Sequence, residues 1–316
     1  MNVMVTGTGG MGSHIASRLV DEGVRCVMYG TGRQIEAMKD LMDIAKIDIF
    51  KGDILDREAL SSAVKEANVD RIIHTAGPRA TQTRKDPRTG MRTHLLGTMN
   101  VLEVARAADL ERVVFTSSAS VYLGTKAGHE PLRPIKEDDP LVSMDHEDTY
   151  ATTKVACEYQ GFNYAKSYGF GFIALRMAHV YGPWSGDMGR GSSISNMVKN
   201  ALLGKSVELD EQVAEWTHYD DLAEEHYLGV ITKNVKIGAI NAGSGKITSL
   251  GDVREVLGKY IKTDKITVKS TGQKSRRMPT DMNLARERLV HTPKYDMDRA
   301  VRELIEYWKP RLHLTV

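Results

Sequence analysis

The chain is expected to fold as an α/β protein: a doubly wound parallel sheet of the Rossmann type with a smaller C-terminal substrate-binding lobe. Three observations predict this. Short apolar runs alternate with longer amphipathic stretches through the first half, the pattern of strand, crossover helix and parallel strand. The first apolar run enters a glycine-rich turn, Gly7-Thr8-Gly9-Gly10-Met11-Gly12. Beyond Gly182-Pro183 the regular alternation stops, and short strands mix with helices.

Each element has its own reason. Residues 2–6 form an apolar run and read as a strand, followed by an amphipathic helix at 13–22. Residues 25–29 and 48–51 read as the second and third strands. A helix at 57–67 precedes a fourth strand at 71–75, and a long helix at 90–108 precedes a fifth at 112–117. A polar loop over 125–148 carries much charge and three prolines. A helix over 149–168 and a sixth strand over 171–176 follow it. Residues 186–192 are glycine-rich, and helices are expected at 250–261 and 298–308. Residues 1–182 with about 216–243 are expected to form the dinucleotide-binding domain. About 183–215 with 244–316 would form the substrate lobe.

Composition removes several classes of function. With 316 residues, 41% hydrophobic and 27% charged, the chain can bury a core without disulfides. A formal net charge of +2 marks neither a nucleic-acid binder nor a partner of acidic membranes. Cys26 and Cys157 form no CxxC pair, so zinc and dithiol chemistry have no support and no metal site is expected. A reducing, cytoplasmic compartment fits this cysteine usage. No leader is evident, and no run approaches the ~20 apolar residues a membrane helix needs.

The turn after the first strand contains G-x-G-x-x-G in the context that gives it meaning: strand before, helix after. Glycine allows a tight turn and a close approach to a pyrophosphate, and the helix N-terminus offers N–H groups and partial positive charge. A glycine-rich turn without a ligand is the plain alternative. An acid ending the second strand would hydrogen-bond a ribose 2′-hydroxyl, whereas an Arg would accommodate a 2′-phosphate. Here Gly30 stands at that end and Arg33 is close, which leans toward NADP over NAD. Asp53 follows the third strand and either reaches an adenine or caps the next helix.

The fifth strand runs into Ser117-Ser118-Ala119-Ser120, and further on comes Tyr150-x-x-x-Lys154. Positions i and i+4 share a helix face, so Tyr150 and Lys154 project together. A tyrosine titrates near ~10, and bringing it to ~7 needs about 4 kcal/mol of differential stabilisation. Lys154 would favour the phenolate, with help from the cofactor's charge. Ser118 would hold the substrate oxygen. The set suits proton transfer to a carbinol oxygen while hydride moves to nicotinamide. Y-x-x-x-K by itself is common by chance, and its value here lies in its position.

At this point the chain resembles the extended short-chain dehydrogenase/reductases, the epimerase/dehydratase-like group. The resemblance rests on Thr6-Gly7-x-x-Gly10-x-Gly12, Gly52-Asp53 and His74-Thr75-Ala76-Gly77. It continues through Gly97-Thr98-x-Asn100-Val101-Leu102-Glu103, Ser117-Ser118-Ala119 and Tyr150-x-x-x-Lys154. Leu175-Arg176-x-x-x-Val180-Tyr181-Gly182-Pro183, His218-x-Asp220-Asp221 and Asn241-Ala242-Gly243 complete it. It implies catalytic Ser118, Tyr150 and Lys154. It implies a cofactor lined by Gly7, Gly10, Met11, Gly12, Arg33, Asp53, Ile54, Ala76, Gly77, Tyr150, Lys154 and His179. It also implies a homodimer through the helices at 90–108 and 149–168. Two departures are histidines, His94 and His179, where the family usually has Asn. Each could replace the asparagine's hydrogen bond or titrate near neutrality.

Ser118-Ala119-Ser120 lacks the acid and base that family dehydratases place there, which argues against water elimination. Glu215 stands where nucleotide-sugar epimerases often carry an Arg, and negative charge there would oppose a diphosphate. Ser118, Ala119, Trp184, Trp216 and Arg276 are the substrate-side candidates; packing of the lobe is the equal alternative for the tryptophans, and a solvated basic loop is the alternative for Arg276. His146-Glu147-Asp148 admits metal ligation or helix capping. The leading expectation is an NAD(P)-dependent oxidoreductase, an alcohol dehydrogenase or ketone reductase acting on a small molecule. The alternative is a UDP-sugar 4-epimerase with tightly bound NAD, and a third is an NADPH-sensing regulator.

Overall fold

In the structure, a computed structural model, residues 1–32, 44–122, 133–142, 148–183, 193–272 and 278–314 are described. Among them the chain runs β1 (Asn2–Thr6), α1 (Gly10–Asp21), β2 (Arg25–Gly30), β3 (Ile47–Lys51), α2 (Arg57–Glu66) and β4 (Arg71–His74). Then come α3 (Ala80–Lys85), α4 (Pro87–Ala107), β5 (Arg112–Ser118), α5 (Thr149–Tyr168), β6 (Gly171–Met177) and β7 (His179–Tyr181). The remainder is α6 (Ser193–Leu202), β8 (Val207–Asp210), β9 (Val213–His218), α7 (Tyr219–Ile231), β10 (Ile237–Ala242) and β11 (Ile247–Ser249). It ends with α8 (Leu250–Gly258), β12 (Ile266–Lys269), α9 (Asn283–Arg288) and α10 (Met297–Arg311).

Seven strands form one parallel sheet in the order β10-β6-β5-β4-β1-β2-β3. The order reverses at β1, between β2 and β4, and that is where ligands bind in such sheets, beyond the strand C-termini. Both faces are covered, so the strands read as continuous apolar runs. One face packs Ile15 and Leu19 of α1 with Leu222 and Val230 of α7. The other packs Leu60 of α2, Val101 of α4 and Cys157 of α5.

A smaller layer lies after β7. β11-β9-β7 form one three-stranded sheet and β12-β8 a parallel pair. They enclose a separate core of Ile194, Met197, Leu250, Val253, Leu304 and Trp308. Trp308 is 1% exposed and donates from Nε1 to Ser195 Oγ at 3.1 Å.

Two expectations shift. α1 begins at Gly10 rather than residue 13, because the last glycines of the turn already take helical geometry. α4 begins at Pro87, with proline in the first turn and Asp86 capping Thr89 N at 3.1 Å. The short α3 just before it had no periodic signature to show it.

Candidate active site

The turn after β1 is shaped by missing side chains. Gly7 has φ +97°, and a Cβ there would lie 2.6 Å from Thr75 Oγ1 and 2.9 Å from Ala76 N. A Cβ on Gly12 would lie 2.0 Å from Gly7 O. The N-cap of α1 is Gly9, which offers no side-chain cap, so the helix's first N–H groups face outward from the strand ends. That is the cradle a dinucleotide pyrophosphate requires, and the residues fit the expected cofactor.

Around it, Met11 is half-buried, Ala76 is half-buried and Ile54 is buried. Asp53 is exposed; its Oδ1 accepts Leu55 N at 2.9 Å, and the cap of α2 is Asp56, which accepts Ala59 N. Asp53 also borders an open depression of about 550 Å³ with Arg57 and Arg92. Gly30 ends β2 beside Thr8, where a Cβ would come within 3.1 Å of Thr8 Cγ2. Arg33, Trp184 and Arg276 lie outside the described residues, as do His146 and Glu147.

Ser118 ends β5, at the C-terminal edge of the sheet, and opens a short 3-10 turn, Ala119–Val121. Its Oγ accepts Ser120 N at 3.1 Å and lies 2.9 Å from Ser120 Oγ. α5 is capped by Asp148, which accepts Tyr150 N and is paired with Arg84 of α3 at 2.5 Å. This cap places Tyr150 in the first turn and Lys154 one turn on, and Ser118 is near enough to Tyr150 to favour its phenolate. The three expected residues therefore meet.

Their charge states agree with a phenol that needs more than the lysine to reach neutrality. Lys154 is 5% exposed and its Nζ donates to Thr116 O at 2.8 Å, 5.7 Å from the Tyr150 ring centroid. Burial lowers its pKa to about 8, against upward pulls from Cys157 and Glu158. Burial also raises Tyr150 to about 12, opposed by the Ser118 hydroxyl. The lysine thus does not by itself bring the phenol toward neutrality, because its ammonium is directed to a backbone carbonyl.

For His94 the structure fits the hydrogen-bonding alternative. Burial, followed by the Lys154 charge, lowers the imidazole's pKa to about 3, so it does not titrate near neutrality. Its Nε2 donates to Pro78 O at 2.9 Å, and its ring meets Tyr150 edge-on at 5.6 Å. A Cβ on Gly77 would lie 2.4 Å from that ring. His179 is exposed and tilts against Trp216 at 5.6 Å. Trp216 is 7% exposed and donates from Nε1 to Thr248 O, so it packs β9 on β11 rather than forming an open pocket wall.

Glu215 overturns the electrostatic objection raised from sequence. It is buried, and its carboxylate accepts from Thr280 N at 2.8 Å, Thr280 Oγ1 at 2.7 Å and Gly245 N at 2.7 Å. Its oxygens are occupied in joining two loops, not presented to a ligand. Burial raises its pKa, against these donors.

Sequence reasoning had not identified the support beneath the site. Arg176 pairs with Glu158 at 2.7 Å, both under 5% exposed, and Ser117 Oγ donates to the same carboxylate. Glu158 lies one turn past Lys154, which was the available signal. His218, Asp220 and Glu303 bring donor atoms within 4.8 Å of one another. His218 Nδ1 accepts Asp220 N, so Nε2, 2.9 Å from Glu303 Oε2, keeps the ring's proton and offers no lone pair to a cation.

No helix among the described residues is long and apolar enough to cross a membrane. The model of the NAD dependent epimerase/dehydratase family matches residues 3–243. A UDP-glucose 4-epimerase of Halalkalibacterium halodurans is 26% identical over 81% of this chain and 79% of its own length. Among solved structures, a Thermotoga maritima UDP-glucose 4-epimerase with UDP-glucose superposes with TM-score 0.83 at 20% identity, covering 99% of this chain and 100% of the other. A Brucella ovis UDP-glucose 4-epimerase in complex with NAD gives TM-score 0.80 at 24% identity, covering 97% and 98%.

Proposed function

The chain belongs to the NAD dependent epimerase/dehydratase family, and from that premise we propose that it is a nucleotide-sugar 4-epimerase, with UDP-sugars as the first substrates to test. The observation that carries the reading is the meeting of Ser118, Tyr150 and Lys154 at the strand ends, with Ala119 and Ser120 where elimination would need an acid and a base. The similar proteins named as UDP-glucose 4-epimerases favour it over net alcohol oxidation. The burial of Glu215 removes the objection to a diphosphate.

NAD bound in the Gly7–Gly12 cradle would supply the hydride acceptor and donor, and a positive charge beside the phenol. Tyr150 takes the proton of the C4 hydroxyl as the carbon loses hydride, and returns it once the sugar has turned over. Ser118 orients that oxygen. Lys154 keeps positive charge at the floor of the site and, turned from Thr116 O, would reach the nicotinamide ribose. His94 holds the turn at 76–78 against the tyrosine. A homodimer through α4 and α5 is supported by the exposed apolar side chains Met91, Leu96, Met99 and Tyr159 on those helices.

The test is to incubate the purified protein with UDP-glucose or UDP-galactose and resolve the products by chromatography. Interconversion without net NADH is expected, and Tyr150→Phe should lower turnover by about 10³-fold while NAD binding survives. Unchanged UDP-sugars, with stoichiometric NADH formed from a simple alcohol, would return the oxidoreductase reading to first place.

A further inference from the structure

We propose that Ser120 belongs to the catalytic machinery as a positioning residue: its hydroxyl lets Ser118 reverse its hydrogen bond toward the reacting oxygen. The inference rests on the reading of Ser118 and Tyr150 given above.

It follows from counting protons and lone pairs. A serine hydroxyl has one donor and two acceptor positions. One acceptor position of Ser118 is always filled by Ser120 N at 3.1 Å. In the proposed relay a Tyr150 phenol donates to Ser118 and fills the second, and the Ser118 proton then points elsewhere. Ser120 Oγ, 2.9 Å away, receives it. Once Tyr150 is a phenolate, Ser118 must donate toward it. Ser120 then donates back and fills the vacated lone pair. Both hydroxyls rotate, no bond breaks, and Ser118 stays fully satisfied in each state. The same reversal serves a substrate oxygen that changes from hydroxyl to carbonyl. Without the Ser120 hydroxyl, the phenol state leaves a Ser118 donor unused and the phenolate state leaves an acceptor empty. The phenolate chain is charge-assisted and so loses more than the phenol chain, by an amount on the scale of a single hydrogen bond.

Ser120→Ala deletes only the hydroxyl and keeps the backbone N–H that Ser118 caps. The other groups facing Tyr150 are untouched: Lys154 and Cys157 on its own helix, Asp148 at its cap, Arg84 from α3 and His94 from α4.

The experiment uses NAD-loaded protein. Phenolate absorbance is titrated between about pH 6 and 10, with Tyr150→Phe subtracted so that the other tyrosines cancel. Epimerisation of UDP-glucose is followed over the same range. Ser120→Ala is expected to raise the Tyr150 midpoint by about 0.7 pH and to lower kcat about fivefold below it. NAD affinity and melting temperature should stay as in the wild type. Ser120→Thr, which keeps the hydroxyl, should restore both. A Ser120→Ala midpoint equal to the wild type's overturns the proposal, as does a Ser120→Thr protein that keeps the alanine defect. A shifted midpoint in a protein that does not epimerise UDP-sugars supports the relay and rejects the substrate reading.

Discussion

The two halves of the candidate site hold charge by opposite means. The turn at Gly7–Gly12 does so by leaving side chains out: backbone N–H groups face a ligand because no Cβ and no capping side chain stands between. The floor between β5, β6 and α5 does so by burying charges: Lys154 and the Arg176–Glu158 pair sit under 6% exposure and depend on one another and on backbone carbonyls. The first design costs conformational freedom, since glycine loses more of it on folding than any other residue. The second costs desolvation, since each buried ion must recover its lost hydration from partners. A glycine turn is therefore sensitive to any added atom, and a charged floor to any removed partner.

The floor should give the largest response. Lys154→Met removes an ammonium that burial holds near about 8 instead of its ordinary 10.5. The folded state binds this proton less tightly than the unfolded chain, so the lysine destabilises the fold below pH 8 and the penalty fades as pH rises toward its ordinary value. The variant is expected to be more stable at pH 7 by up to ~3 kcal/mol, less whatever the lost Thr116 hydrogen bond was worth. Its advantage should shrink between about pH 8 and 10.5 in denaturant melts, while turnover is lost. A variant less stable than wild type at every pH would show that the floor is held together by the lysine rather than burdened by it.

The turn comes next. Gly12→Ala forces a Cβ to within 2.0 Å of Gly7 O. Overpacking of this kind costs about 2 kcal/mol, or roughly thirtyfold in NAD affinity by calorimetry if the strain falls on the bound geometry. Unaltered affinity would mean that the cradle relaxes easily and tolerates an added atom as the charged floor does not tolerate a lost partner.

The smallest effect is expected where the halves join. His94→Phe keeps a ring against Tyr150 but takes away the donor to Pro78 O. About 1 kcal/mol, some fivefold, should be lost from NAD binding, with kcat at saturating NAD unchanged. A fall in kcat alone would place His94 with the tyrosine rather than with the turn.

How much of this was legible follows the distance over which each signal acts. The glycine turn and the Tyr150–Lys154 spacing are local patterns, visible within one turn of backbone, and both stood where expected. The role of Glu215 was not legible. Its donors come from Gly245 and Thr280, thirty and sixty-five residues on, so its charge was read as facing a ligand when it is consumed in the fold. Which of its two alternatives His94 takes, and how far burial lowers Lys154, were not legible either, because a sequence carries residue types but not their burial.

By itself, then, the sequence determined the parallel sheet, the position of the glycine turn and the candidate set of Ser118, Tyr150 and Lys154, because periodicity, glycine and helix spacing act through neighbours along the chain. Only the tertiary structure decided which charges are buried, where the Lys154 proton points and that Ser118 has a second hydroxyl as its partner. Desolvation and hydrogen-bond direction depend on atoms that folding brings together from elements far apart in sequence, or at angles the sequence does not specify.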